Sequence, residues 1–265
     1  MNASGNLRKM RTELVEPVRY TLVMGEDQVL MNDLIGQEVR FKFEGRINCV
    51  NCGVLTKKAF GQGFCYPCFM NSPANAECIV RPELCEGHLG LGRDPEWEEK
   101  HHNQPHIVYL ALTDKVKVGV TRETQVPTRW IDQGAWKTII VAETPYRQLA
   151  GEIEVFLKEF VSDKTSWQRM LKDERDEEVD LLEEKEELLD QMDEELGQYY
   201  SEDDTVTEIV YPVLAYPEKV KSLNFDKTPE LGGRLVGIRG QYLIFEGGFV
   251  VNVRRFSGYW VELEV

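Results

Sequence analysis

Four of the six cysteines fall into one pattern: C-x2-C, twelve residues, then C-x2-C, as Cys49, Cys52, Cys65 and Cys68. Each pair can wrap two thiolates around a single ion on a tight turn. Gly53, Gly61 and Gly63 relax the backbone where those turns must reverse. Four thiolates make the closed tetrahedral set of a structural zinc site. A redox CxxC and free buried thiols are the competing readings, and two pairs at this separation favour zinc. A closed site of this kind holds a fold together, so no catalysis is assigned to it.

The remaining cysteines, Cys78 and Cys85, are followed by His88, His101, His102 and His106, which are all the histidines of the chain. A second zinc site built from Cys78, Cys85, His88 and His101 or His102 is one reading. In the other, these are loop residues and His106 starts a strand. The N-terminal MNASGNLRKM has no apolar segment behind it, and no apolar run approaches the ~20 residues needed to span a bilayer. The expectation is a cytoplasmic protein without a membrane partner, in which cysteines bind metal and do not form disulfides.

The 265 residues permit several small domains. The net charge of −15 is local, because residues 173–205 carry 17 acidic and 2 basic side chains and so account for all of it. A neutral body with one acidic appendage neither requires nor excludes a nucleic-acid partner. Leu182, Leu189 and Leu196 recur at seven-residue spacing within that appendage, which predicts one amphipathic helix packing on the body or on a protein partner. Before the cysteines, RYTLVM and VRFKF alternate as strands do. After the acidic segment, TEIVYPVLAYP, RLVGIRGQYLIFEGG and FVVNVRRF read as strands, with a hairpin turn at Glu246-Gly247-Gly248. That C-terminal unit suits a small barrel, or a sheet shared with the N-terminal strands. Arg239, Tyr242, Arg254, Arg255 and Tyr259 read as barrel surface or as a nucleic-acid contact.

Between these regions, Ile107–Leu112 and Val116–Thr121 read as two strands joined by the short polar break Thr113-Asp114-Lys115. Gly119 marks a place where something approaches the backbone closely. From Arg147 the spacing turns helical, with Leu149, Ile153, Phe156, Leu157 and Phe160 on one face and Glu152 and Glu154 near the start.

At these residues the chain resembles the GIY-YIG nuclease superfamily. Ile107-Val108-Tyr109 stands where the first motif would lie, Lys117-Val118-Gly119 where the second would, Arg129 at the arginine and Glu154 at the helix glutamate. Lys117 and Ile107 depart from the pattern, at the second motif's tyrosine and the first motif's glycine. The resemblance implies cleavage of a phosphodiester in DNA or RNA with one Mg2+ or Mn2+ held by Glu154. Tyr109 would act near the attacking water, Arg129 would stabilise the phosphate charge, and Arg122 would share that duty. Lys117 would supply positive charge or act as a different acid–base partner. Glu152 is the rival ligand to Glu154.

The phrases QGFCYPCF, KVGVTR, TRWIDQGAW and SDKTSWQRML also resemble a bacterial zinc-ribbon protein family of unknown function, over nearly the whole chain. That family implies further cysteines where this chain has Gly92 and His102.

The expected fold class is α+β, in five parts. These are an N-terminal β region at 1–48, a zinc-binding region at 49–105, a GIY-YIG-like αβ domain at 106–172, an acidic helical segment at 173–205 and a barrel-like β region at 206–265. The function read from this is a metal-dependent nucleic-acid phosphodiester hydrolase with a structural zinc. The alternative is an inactive zinc-stabilised module that binds nucleic acid or protein. A metabolic enzyme finds no support, since GxGxxG, P-loop and Ser-His-Asp signatures are absent.

Overall fold

A computed structural model describes residues 2–265. It is a mixed α+β structure whose contacts divide it into two compact units. The first comprises the described residues through Met70, with Leu171–Asp173 and Ile209–Val265. The second comprises Asn71–Met170 and Glu174–Glu208.

The first unit is built on an eight-stranded sheet. Its order is Asn2–Asn6, Tyr259–Glu264, Glu38–Asn48, Glu230–Arg239, Tyr242–Phe245, Phe249–Asn252 and Lys221–Ser222, with Leu55–Thr56 pairing off Glu38–Asn48. The C-terminal strands do not close into a barrel. Glu38–Asn48 inserts between Tyr259–Glu264 and Glu230–Arg239, so N- and C-terminal strands share one open sheet with two separate edges. A separate three-stranded sheet, Arg11–Glu13, Arg19–Met24 and Asp27–Leu30, packs against its Asn2–Asn6 strand. The expected turn at residues 246–248 forms, and Gly247 and Gly248 take φ of 78° and 80°, values that glycine adopts without strain. Of TEIVYPVLAYP only Thr207–Glu208 is strand, and it pairs with Lys137–Thr144 in the second unit.

The second unit has a four-stranded sheet ordered Thr207–Glu208, Lys137–Thr144, His106–Leu112, Val116–Arg122. His106–Leu112 lies between two antiparallel neighbours and every one of its seven residues is buried, which explains its unbroken apolar run. Val108, Leu110, Val118, Ile139 and Val141 share a core with Ala150, Ile153 and Leu157 of the Arg147–Leu157 helix. That helix stops at Leu157, so Phe160 falls outside it and is half exposed.

The acidic segment is not one helix. It forms two short ones, Leu181–Leu189 and Glu194–Gly197, because Asp193 accepts a hydrogen bond from the Leu196 backbone N–H at 2.9 Å and begins a new helix there. Its fully buried leucines are Leu181 and Leu188, one residue ahead of the expected Leu182 and Leu189, and both join the core. Lys185 lies fully buried beside them. Its ammonium donates to the carbonyls of Ser201 (2.7 Å) and Asp203 (2.9 Å) and to Asp204 Oδ1 (2.8 Å). One face of this segment therefore belongs to the body, and its glutamates form the solvated face. Among the described residues, no helix is long and apolar enough to cross a membrane.

Candidate functional site

The paired CxxC segments fold as two turns in the first unit. Cys49 leaves the strand Glu38–Asn48, and its carbonyl accepts from the Gly53 N–H at 2.9 Å, with Gly53 at φ 73°. Cys65 precedes the short helix Tyr66–Asn71, which carries Cys68. A Cβ at Gly63 would lie 2.4 Å from the Ser257 carbonyl, so only glycine lets this turn sit against residue 257. The four Sγ atoms lie within 4.8 Å of one another, and Cys52 and Cys65 are 3.8 Å apart. A tetrahedron of thiolates about 2.3 Å from an ion has edges of about 3.8 Å, so the cluster can hold a metal ion such as zinc.

The second unit contains a second cluster: Cys78, Cys85, Glu98 and His102, with one donor atom each, all within 4.8 Å. Of the two histidine choices, His102 is the one placed here. His88 is not part of the group. Its ring stacks on Tyr146, with centroids 4.4 Å apart and an 8° interplanar angle. His101 stacks on Trp97. His106 begins its strand as expected. Burial pushes its imidazole down to about 3, so it stays neutral at physiological pH.

Of the residues singled out around the central hairpin, Lys117, Arg129 and Glu154 meet at one cleft of about 230 Å3. Its lining includes Lys117, Gly119, Arg129, Gln133, Glu154 and Asp163. Tyr109 pairs with Gly119 and Ala111 with Lys117, so all four side-chain positions share one face of the hairpin. Tyr109 itself is fully buried behind that face, with Arg129 and Gln133 beside its hydroxyl, and burial raises its pKa. Asp163 is brought in because the Val118 N–H donates to the Ser162 carbonyl at 2.8 Å, tying that segment to the sheet edge. Arg122 stands five residues from Lys117 on a regular strand. It is the last residue of the strand and does not line the cleft.

The helix glutamates separate cleanly. Glu154 is buried at the cleft and accepts from Lys158 Nζ at 3.1 Å, whereas Glu152 is exposed and bonds Gln148. Burial raises the Glu154 carboxyl above its usual range, and Lys158 partly offsets this. Lys117 is only 6% exposed. Burial, with help from the Arg129 charge, lowers its ammonium to about 8. Arg147 also lines the cleft and donates to the Cys78 carbonyl at 3.0 and 2.9 Å. The basic side chains here are Lys117, Arg129, Arg147 and Lys158, against the carboxylates Glu154 and Asp163. Such a balance suits an anion.

Sequence reasoning passed over Glu98, Arg147 and Lys158. The available signal was i,i+4 spacing: Glu98 to His102 and Glu154 to Lys158. In the first unit, Arg239 is fully buried on Asp173 (2.5 Å), and the buried Tyr259 donates to Asp226 (2.9 Å). Both are thus internal.

Fold and site together define an α+β protein with a four-cysteine cluster able to hold a metal ion. The chain belongs to the family described as "Protein of unknown function (DUF2797)", whose model matches residues 36–261. No curated protein and no solved structure matches.

Proposed function

We propose that this chain cleaves a nucleic-acid phosphodiester in the cleft lined by Lys117, Arg129 and Glu154, and that Cys49, Cys52, Cys65 and Cys68 carry a structural zinc. One observation carries the cleavage reading. Lys117, Arg129 and Glu154 of the GIY-YIG-like stretch line a single cleft, and the buried Tyr109 packs behind its Gly119. Arg129 and Arg147 bind the phosphate oxygens, for which a planar guanidinium is suited. Lys117, poised at about 8, takes a proton from water as the water oxygen bonds to phosphorus; the P–O bond to the departing strand end breaks, and the expelled oxygen takes a proton from solvent. The raised pKa of Tyr109 keeps it a phenol, and its ring, buried behind Gly119 with Arg129 and Gln133 beside its hydroxyl, serves to position those two and not as the base. A divalent ion held by Glu154 would supply further charge neutralisation and an activated water.

A second reading, binding without cleavage, is favoured by the Lys158–Glu154 ion pair. That pair engages the one helix carboxylate in the cleft and leaves the other cations to hold an anion unaided. The two separate in one assay. Full-length protein is incubated with labelled single- and double-stranded DNA and RNA, with Mg2+ or Mn2+ and with EDTA, and both cleavage and retention are read. Metal-dependent cleavage supports the hydrolase. Retention of intact strands that is lost in Arg129→Ala supports the binding module.

A further inference from the structure

We infer that Cys78, Cys85, Glu98 and His102 form a second metal site, which takes a zinc-type divalent ion through two sulfurs, one imidazole nitrogen and one carboxylate oxygen, and that this ion holds one wall of the cleft in place. The metal assignment does not depend on what the cleft does. It rests first on convergence. His102 Nδ1 lies 3.4 Å from Cys85 Sγ and 3.9 Å from Cys78 Sγ, and Glu98 Oε2 closes on the same nitrogen.

Burial strengthens the case. Glu98 and His102 are 2% and 3% exposed, and both thiols are buried. Glu98 Oε2 makes no hydrogen bond beyond its close approach to the His102 ring nitrogen. A buried carboxylate oxygen is costly without a paired charge or a metal, and here both sulfurs converge on the same point. Two sulfurs beside an imidazole and a carboxylate are a donor set that zinc accepts.

The backbone around the cluster is shaped for it. A Cβ at Gly87 would lie 3.0 Å from His102 Cβ and 3.5 Å from Cys85 Sγ. A Cβ at Gly92 would lie 2.7 Å from Glu98 Oε1. Glu98 thus fills the space into which a side chain at position 92 would project.

The link to the cleft runs through residues 78–85. This segment has only the short turns Glu77–Ile79 and Pro82–Leu84, and Val80 is 77% exposed, so apart from Pro82 its buried anchors are the two cysteines. Yet Ile79, Val80 and Pro82 line the cleft. Arg147 clasps the carbonyls of Cys78 and Ile79, and its own N–H donates to the His102 carbonyl at 2.9 Å. Gly151 lets the helix come against Pro82 and Glu83, where a Cβ would lie 2.2 Å from the Glu83 nitrogen. An ion that ties Cys78 and Cys85 to Glu98 and His102 closes this segment into a loop of fixed shape, and its binding free energy becomes local folding free energy.

The test is the zinc content of the full-length chain by elemental analysis after equilibration with a zinc-buffered chelator, together with hydrogen–deuterium exchange over residues 78–85. Wild type should hold two zinc ions per chain, and Cys85→Ser and Glu98→Gln should each lower the second site's affinity at least tenfold. His102→Cys, which offers a thiolate in place of the imidazole, should keep both ions and guards against a variant that merely misfolds. Exchange at 78–85 should speed up in Glu98→Gln while the four-cysteine segment is unchanged. One ion per chain in wild type and in Cys85→Ser alike would reduce Glu98 and His102 to a plain ion pair and overturn the site. Two ions with unaltered exchange at 78–85 in Glu98→Gln would overturn the coupling to the cleft wall.

Discussion

Tyr109 and Gly119 face each other across the central hairpin, and a Cβ at position 119 would lie 2.8 Å from the Tyr109 hydroxyl and 2.9 Å from its Cζ. The tyrosine ring is fully buried, so it cannot swing aside at low cost. Gly119→Ala should therefore destabilise the protein by about 1–3 kcal/mol, as overpacking does. Tyr109→Phe should leave stability nearly unchanged and lower turnover. Urea denaturation read beside the cleavage assay checks both. An unshifted midpoint for Gly119→Ala would show that the ring has room to move.

Lys117 gives the cleft a pH signature. Its ammonium titrates at about 8 in the fold against an unfolded value near 10.5. The folded state binds fewer protons between these values, so the stability cost of burying Lys117 is full below about 8 and is relieved as pH rises toward 10.5. Cleavage should rise with pH and level off above about 8, where the amine is free to accept a proton. Lys117→Met should remove the rise in rate and make stability less dependent on pH over this window. A wild-type rate that is flat between pH 6 and 9 would exclude Lys117 as the base.

The acidic segment should tolerate charge changes and resist changes to its apolar face. Leu188→Ala removes a buried core side chain and should cost about 2–5 kcal/mol. Glu187→Ala lies on the exposed face and should stay within about 0.5 kcal/mol of wild type. Thermal or urea melts distinguish the two, and equal effects would mean that the leucines are not core.

Zinc at the four-cysteine cluster should be part of the fold. Cys65→Ser, or a strong chelator, should unfold or markedly destabilise the first unit, because structural zinc contributes folding free energy directly. Circular dichroism melts before and after zinc is restored check this. A chelated chain whose melt is unchanged would mean that the thiols stand without an ion.

The sequence made some of this legible and hid the rest for identifiable reasons. The Cys49–Cys68 cluster depends on local spacing, and local spacing survives folding. The open sheet depends on pairing Asn2–Asn6 with Tyr259–Glu264, strands at opposite ends of the chain whose partnership leaves no mark in either segment. In the acidic segment, Leu181/Leu188 and Leu182/Leu189 offer the same seven-residue spacing, and tertiary packing chooses the first pair. Glu98 sits in the run PEWEEKHH, where a glutamate looks like one more solvated charge. Only burial against Cys78, Cys85 and His102 distinguishes it. At position 92, a side chain would run into Glu98, which fills that space.

Cleavage by the two glutamate variants bears most directly on the central claim. Glu154 faces the cleft beside Lys158, and Glu152 lies exposed on the same helix against Gln148. In one assay of metal-dependent cleavage on DNA and RNA, Glu154→Gln should lower the rate at least a hundredfold with the fold intact, and Glu152→Gln should cleave as wild type does. Full activity in Glu154→Gln, or activity lost only in Glu152→Gln, would contradict the account.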